Sequence, residues 1–276
     1  MRFIYGLFKV IGNVLIFLFT LSAILPLFWM MYSSLKTNQE FSLDTLKLPS
    51  SITWENFQSA FNTGRLSDAL LSSVFNTVIS VPLIVFCAFV IGYFFTRFKF
   101  RGQSLAYFVL LIGMLVPLHA LLVPLFVQFK ALNMLDTRWT LILPYVAFNL
   151  PLAVFLFQSF IKGIPHDIEE AAYIDGSSFD RTLFYVIFPI CMPMIATTAI
   201  LNVLHTWNEL PFALILNKSI SLYTLPVWLT FFSGQFATDY TGKIAGLVIT
   251  SMPTIILYLL FTKQVMNGMT AGAVKG

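Results

Sequence analysis

The sequence predicts an all-α polytopic membrane protein with six transmembrane helices, and three observations predict it. Mean hydropathy is +0.85 and charged residues make up 10% of the 276, far from the balance of a soluble globular domain. The charges are also segregated, leaving uncharged apolar runs long enough to cross a bilayer, which takes ~20 mostly apolar residues. Those runs must be helical, because a backbone in hydrocarbon has to satisfy its own hydrogen bonds.

Taken in order, Val10–Met31 places the first span within residues 1–35; it is longer than a signal-peptide core and lacks a small-residue cleavage site. Residues 36–70 are polar and mixed, with Pro49 and Gly64, and read as an extracytoplasmic loop holding one short amphipathic helix around Trp54–Asn62. Ala69–Thr96, Gly102–Phe129, Trp139–Ile161 and Thr182–Asn208 predict spans two to five, and Ile244–Thr262 the sixth, before a tail at 263–276. Ser219–Thr238 is uncharged, but Pro226, Gly234 and several Ser and Thr residues make it an outer loop or re-entrant piece rather than a seventh span. Pro117, Pro124, Pro144, Pro151, Pro193, Pro211 and Pro253 are expected to kink or loosen their helices. Trp29, Tyr32, Trp139 and Tyr145, near span ends, fit an interfacial aromatic belt.

Basic residues at short loops set the orientation. The cluster Arg97, Lys99 and Arg101, with Lys162 and Arg181 around the loop after span four, places those turns and both termini in the cytoplasm. The net charge of +4 follows from this anchoring; no basic stripe with interleaved aromatics occurs, so nucleic acid is not an expected partner. Cys87 and Cys191 lie in apolar runs and read as packing residues.

The loop after span four is a charged island with the signals of a short capped helix at 165–176. Pro165 suits a first turn, Asp167, Glu169 and Glu170 fall where the helix dipole favours acids, and Gly176 can close the helix in a left-handed conformation. Ala171 and Ala172 leave room for a partner surface to approach, and Asp175 precedes the stop. A solvated loop is the plainer reading; the ordered start, small middle and Gly stop favour docking.

Glu170-Ala171-Ala172, three residues, Gly176, nine residues, then Val186-Ile187-Phe188-Pro189 resembles the EAA motif of ABC importer permeases, with Val186 and Phe188 where Ile and Leu are usual. Trp207-Asn208-Glu209 is similar to an element of the carbohydrate-type permeases, and Gly268–Gly276 resembles the tail of their MalG-like branch. The resemblance implies the type I ABC importer (MetI-like) permease fold, with a core over 71–262. It implies that Asp167, Glu169, Glu170, Ala171, Ala172, Asp175, Gly176 and Pro189 couple to an ATPase, and that Gly268, Thr270, Gly272 and Lys275 touch it from the tail. It also implies a second homologous permease subunit, two ATPase subunits, an extracytoplasmic solute-binding protein and a carbohydrate substrate.

Polar groups inside spans are costly and mark candidates for a solute pathway. They are Asn76 in span two, His119 in span three, Asn149 in span four, and Asn202, His205, Trp207, Asn208 and Glu209 in span five. Residues 202, 205 and 209 are spaced to share one helix face, and a straight helix puts Glu209 about 30 Å beyond Pro189. Hydrogen bonds between spans, worth ~0.6 kcal/mol per pair, are the structural alternative.

The sequence holds no G-x-x-x-x-G-K-[ST] loop, so the chain is not expected to hydrolyse ATP, and neither a cofactor nor a metal is expected. A proton-coupled carrier would need a midplane ionisable group, for which His119 and His205 are the candidates. An integral-membrane enzyme on lipid-linked substrates would have to use the island's carboxylates.

Overall fold

In the computed structural model, which describes residues 2–62, 65–235 and 239–273, every regular element among the described residues is helical. Helix α1 (Arg2–Ser33) carries the first span. The short helices α2 (Asn38–Leu43) and α3 (Glu55–Asn62) fill the following loop, and α4 (Leu66–Arg97) is a second, unbroken span despite Pro82. Helices α5 (Gln103–Ile112) and α6 (Leu122–Ala131) make a third span in two halves, α7 (Ile142–Ile161) is the fourth, and α8 (Asp167–Ile174) occupies the charged island. The fifth begins as α9 (Phe179–Arg181), passes through a π-helical stretch at Thr182–Ile187 into α10 (Phe188–Ile190), and continues as α11 (Met192–Trp207). Helices α12 (Pro211–Leu216) and α13 (Leu225–Gln235) precede α14 (Tyr240–Ala273), which holds the sixth span and carries helix on into the tail. At 1.5 Å per residue α13 reaches only about 16 Å, roughly half of a ~30 Å hydrocarbon core.

Two spans are broken rather than gently kinked. The halves of the third meet at 94°. Pro117 forces Val116 out of the helical region, so both residues are extended there. The halves of the fifth, Phe179–Ile190 and Met192–Trp207, meet at 72°. Pro189 and Pro193, four apart on either side of the break, each remove a ladder donor and crowd the preceding turn. This corrects the straight projection of Glu209 about 30 Å beyond Pro189. Pro165 also falls short of a first-turn role, since α8 begins two residues later, at Asp167.

The chain divides into two compact units, Met1–Leu66 with Trp228–Met252, and Ser67–Val227 with Pro253–Gly276. In the first, the loop after α1 is folded by polar contacts. The Lys36 ammonium is fully buried, donating to the Asp44 and Thr45 carbonyls and facing the Tyr32 and Phe41 rings. Asn56 donates to the Ser34 and Lys36 carbonyls and accepts from Thr241 at the start of α14. None of the apolar window of α1 is buried, as expected of a helix surrounded by lipid or by another chain.

Among the described residues the second unit shows two cores. One packs α4 (Ile84, Ala88, Phe89, Tyr93) on α7 (Val154, Phe157, Ile161) and on Leu183, Ile187 and Cys191 of the broken fifth span. A Cβ added to Gly92 would lie 2.9 Å from Phe157 Cβ, so glycine is what lets α4 and α7 cross this closely. The other core joins Phe129, Leu141, Tyr145, Phe212 and Leu216. Tyr145 is therefore 1% exposed, a correction to its place in an aromatic belt, whereas Trp139 stays exposed. The second core is braced by Asp136, which accepts from the Ser219 hydroxyl and the Lys218 and Ser219 amides. Burial alone would raise the Asp136 carboxyl; those hydrogen bonds and the Lys218 charge outweigh it and hold the group below the usual carboxylate range.

Candidate functional site

The first candidate site is α8 and its seat. Arg97 is the last residue of α4, where the helix dipole favours a cation. Its Nε pairs with Glu169 Oε1 at 2.5 Å, with side chains 5% and 8% exposed. Its other nitrogens reach outward from there: Nη2 donates to the Ile164 carbonyl at 2.9 Å, and Nη1 lies 3.3 Å from His166 Nε2. One turn back on α4, the Tyr93 hydroxyl donates to Glu169 Oε2 at 2.7 Å. Both carboxylate oxygens are thus engaged by residues four apart on one helix. Rings of Phe94, Phe98 and Phe179 pack around Tyr93 and shield the pair.

Beside Glu169, Ile168 is half-buried against the core, and most of the rest of α8 is open. Glu170, Ala171, Asp175 and Gly176 are exposed, Asp167 stands exposed in the first turn, and Ala172 is half-buried. Tyr173 and Ile174 add an apolar end, Ile174 being 86% exposed. Gly176 has φ +80°, donates to the Tyr173 carbonyl, and is followed by Ser177 donating to Ala172, so the helix ends in a Schellman turn that needs a left-handed residue. Pro189 lies away from this surface, at the break of the fifth span. The sequence placed Glu169 and Glu170 in one role, but neighbours on a helix point about 100° apart. What sequence reasoning missed is the seat, Tyr93 and Arg97; an i, i+4 Tyr/Arg pair at a span end opposite an acidic loop was the available signal.

The second candidate site is a partly open cavity of about 270 Å³ where the bend of the third span meets α7 and the end of α11. Gly113, Met114, Val116 and Leu118 line it from the bend, Tyr145, Phe148, Asn149 and Leu152 from α7, and His205, Thr206, Glu209 and Phe212 from the end of the fifth span and α12. Asn149 donates to the Tyr145 carbonyl. Glu209 is tied down: it accepts from the Tyr145 hydroxyl at 2.9 Å and from the Phe212 and Ala213 amides at the start of α12. The lining therefore offers an amide, an imidazole, a carboxylate and aromatic and apolar surface, a mixture suited to hydroxyls and weakly apolar ring faces.

Of the eight pathway candidates, the cavity gathers Asn149, His205 and Glu209. Asn202 does not line the cavity; it is buried and donates to the Thr198 carbonyl, and α11 ends at Trp207, so the helix it shares with His205 stops short of Glu209. Asn76 is buried in α4, beside Thr77, whose hydroxyl lies 3.5 Å from that of Thr206. His119 is exposed in the short turn after the bend, Trp207 is buried, and Asn208 is exposed and donates to Leu204. Met114, Tyr145 and Phe148 were missed, because only the 94° break brings the bend beside α7. In the tail, Gly268, Thr270 and Gly272 lie on the backbone of α14, and Lys275 lies outside the described residues.

Comparison with known proteins agrees with this architecture. Residues 88–269 match the family model described as binding-protein-dependent transport system inner membrane component. The chain is 35% identical over 257 residues to the trehalose transport system permease protein SugB of Mycobacterium tuberculosis, covering 92% of this chain and 93% of that one. It is 32% identical over 267 residues to the diacetylchitobiose uptake system permease protein NgcG of Streptomyces coelicolor, covering 96% and 88%. Among solved structures, a bacterial ABC transporter involved in the import of the acidic polysaccharide alginate superposes with a TM-score of 0.75 at 23% identity, covering 93% of this chain and 96% of that one.

Proposed function

This chain belongs to the family of binding-protein-dependent transport system inner membrane components, and from that premise we propose that it is the pore-forming subunit of a sugar importer whose energy comes from ATP hydrolysed on a separate subunit. It is a multi-pass membrane permease; the finer reading sets α8 and both termini in the cytoplasm of a bacterial cell, beside the basic cluster Arg97–Arg101. The partners are a second homologous permease, two ATPase subunits gripping α8, and an extracytoplasmic solute-binding protein that delivers the sugar. The sugar itself rests on relatives named for trehalose and diacetylchitobiose transport. The cavity at Asn149 and His205, just below the ~300–1,000 Å³ of ligand pockets, would meet part of a solute during passage. The family match gives no support to a proton-coupled carrier or a lipid-modifying enzyme.

The observation that carries this reading is α8 itself: an eight-residue helix with one edge locked to the chain's own span and the Glu170–Ala171 and Tyr173–Ile174 surface left open. Coupling then works mechanically. When the ATPase subunits close on nucleotide, α8 moves with the one that holds it, and the broken third and fifth spans change their angles. The test is crosslinking from Ile174→Cys in membranes that hold the whole importer. Capture of the ATPase is expected, and loss of that capture in Gly176→Val, which cannot adopt the closing turn comfortably. Sugar uptake by vesicles holding both permeases and no ATPase would overturn the reading.

A further inference from the structure

We propose that Glu169 is a positioning residue: with Tyr93 and Arg97 it forms the joint that makes α4 move as one piece with α8. The inference rests on α8 being the helix the ATPase grips, and it reassigns Glu169 from that gripped surface to the opposite edge. Three features support it. The joint is made at both oxygens of one carboxylate, by residues one turn apart on α4, so it resists rotation of α8 as well as translation. Arg97 also holds the Ile164 carbonyl and touches His166, so the segment entering α8 is fixed to the same span end as the helix. Finally, the pair is buried among aromatic rings, where screening by water and salt is weak.

A plain loop-to-span contact would not need this arrangement. Connections at either end of α8 are short hydrogen-bonded turns, and Ile164 and Ile168 pack on the core, so apolar contact seats the helix while the joint adds directed bonds to α4. Without the joint, a pull on the exposed surface of α8 would reach α4 only through apolar contact, which has no direction of its own and resists sliding poorly. With it, the pull reaches α4, and through the close crossing at Gly92 it reaches α7 as well. The joint therefore governs how much transport each ATP yields, separately from how tightly the ATPase is held.

The experiment uses the whole importer reconstituted in vesicles, comparing wild type with Glu169→Gln, Tyr93→Phe and Arg97→Lys. Two quantities are measured: ATPase subunit retained per permease, and solute moved per ATP hydrolysed in the presence of the binding protein. Glu169→Gln is expected to retain the ATPase at wild-type yield while solute per ATP falls roughly 5-fold or more, the lower end of allosteric coupling. Tyr93→Phe, which removes one hydrogen bond and no charge, is expected to fall in the same direction by less, and it decides the matter if Glu169→Gln fails to assemble. Wild-type solute per ATP in a fully assembled Glu169→Gln or Tyr93→Phe importer overturns the joint. So does a parallel loss of ATPase retention and transport, which would return Glu169 to the gripped surface. Should wild type itself retain no ATPase, the reading of α8 falls, and the joint falls with it.

Discussion

The seat of α8 and the cavity at Asn149 are built from opposite treatments of the same material. Around Glu169, α4 runs unbroken into the contact, the charges are paired, and phenylalanine rings pack about them. Around Asn149 the third span gives up its straight course at Pro117, and the space beside that bend is left partly unfilled. The first region spends polar groups on holding one geometry. The second leaves an imidazole and an amide beside open space. Rigidity at one place and vacancy at another is the division expected of a part that receives force at one site and yields at a second.

Substitutions can break that contrast or sharpen it. The largest expected effect is Arg97→Ala, which strands a buried carboxylate; loss of about 3–5 kcal/mol is expected, read as a collapse of the thermal melting temperature in detergent. Gly92→Ala comes next. Its new methyl meets Phe157 Cβ and the Gln158 nitrogen, and overpacking of this kind costs about 1–3 kcal/mol in the same melt. His205→Ala, at the exposed lip of the cavity, should shift stability by less than about 0.5 kcal/mol while lowering uptake at subsaturating solute. A stability loss at His205 comparable to that at Gly92 would erase the distinction between the regions.

The smallest effect concerns pH. The Asp136 carboxyl sits below its unfolded value, so its contribution is fully present above the ordinary carboxylate range and is lost as pH falls through the depressed folded value. Asp136→Asn should flatten the acid limb of a melting-temperature profile and leave the neutral region little changed.

Span positions and the island helix were legible because their signals are local: hydropathy over ~20 residues, acids in a first turn, and a glycine where φ turns positive. Even the short helix after Trp54 could be read from its pattern. Side-chain partnerships were less legible. Tyr145 looked like a belt residue because its ring stands three residues into a span, and nothing in sequence announces Glu209, 64 residues on, as its partner. The shared face proposed for Asn202, His205 and Glu209 assumed helix continuing past Trp207, where the chain instead turns into the proline-led α12. Prolines flagged the breaks, but their angles, and therefore which residues meet across them, depend on packing that no local window contains.

The paired prolines at 189 and 193 have a consequence for motion. Flexing an intact helix at its centre means tearing main-chain bonds in a medium that offers no replacements. In the fifth span some of those bonds were forgone when the chain was synthesised, so swinging one half against the other forfeits little that was ever present. Its stiffness is then set by whichever side chains, lipids or neighbouring subunits lean on the elbow, and a small change in that company is enough to reset the angle.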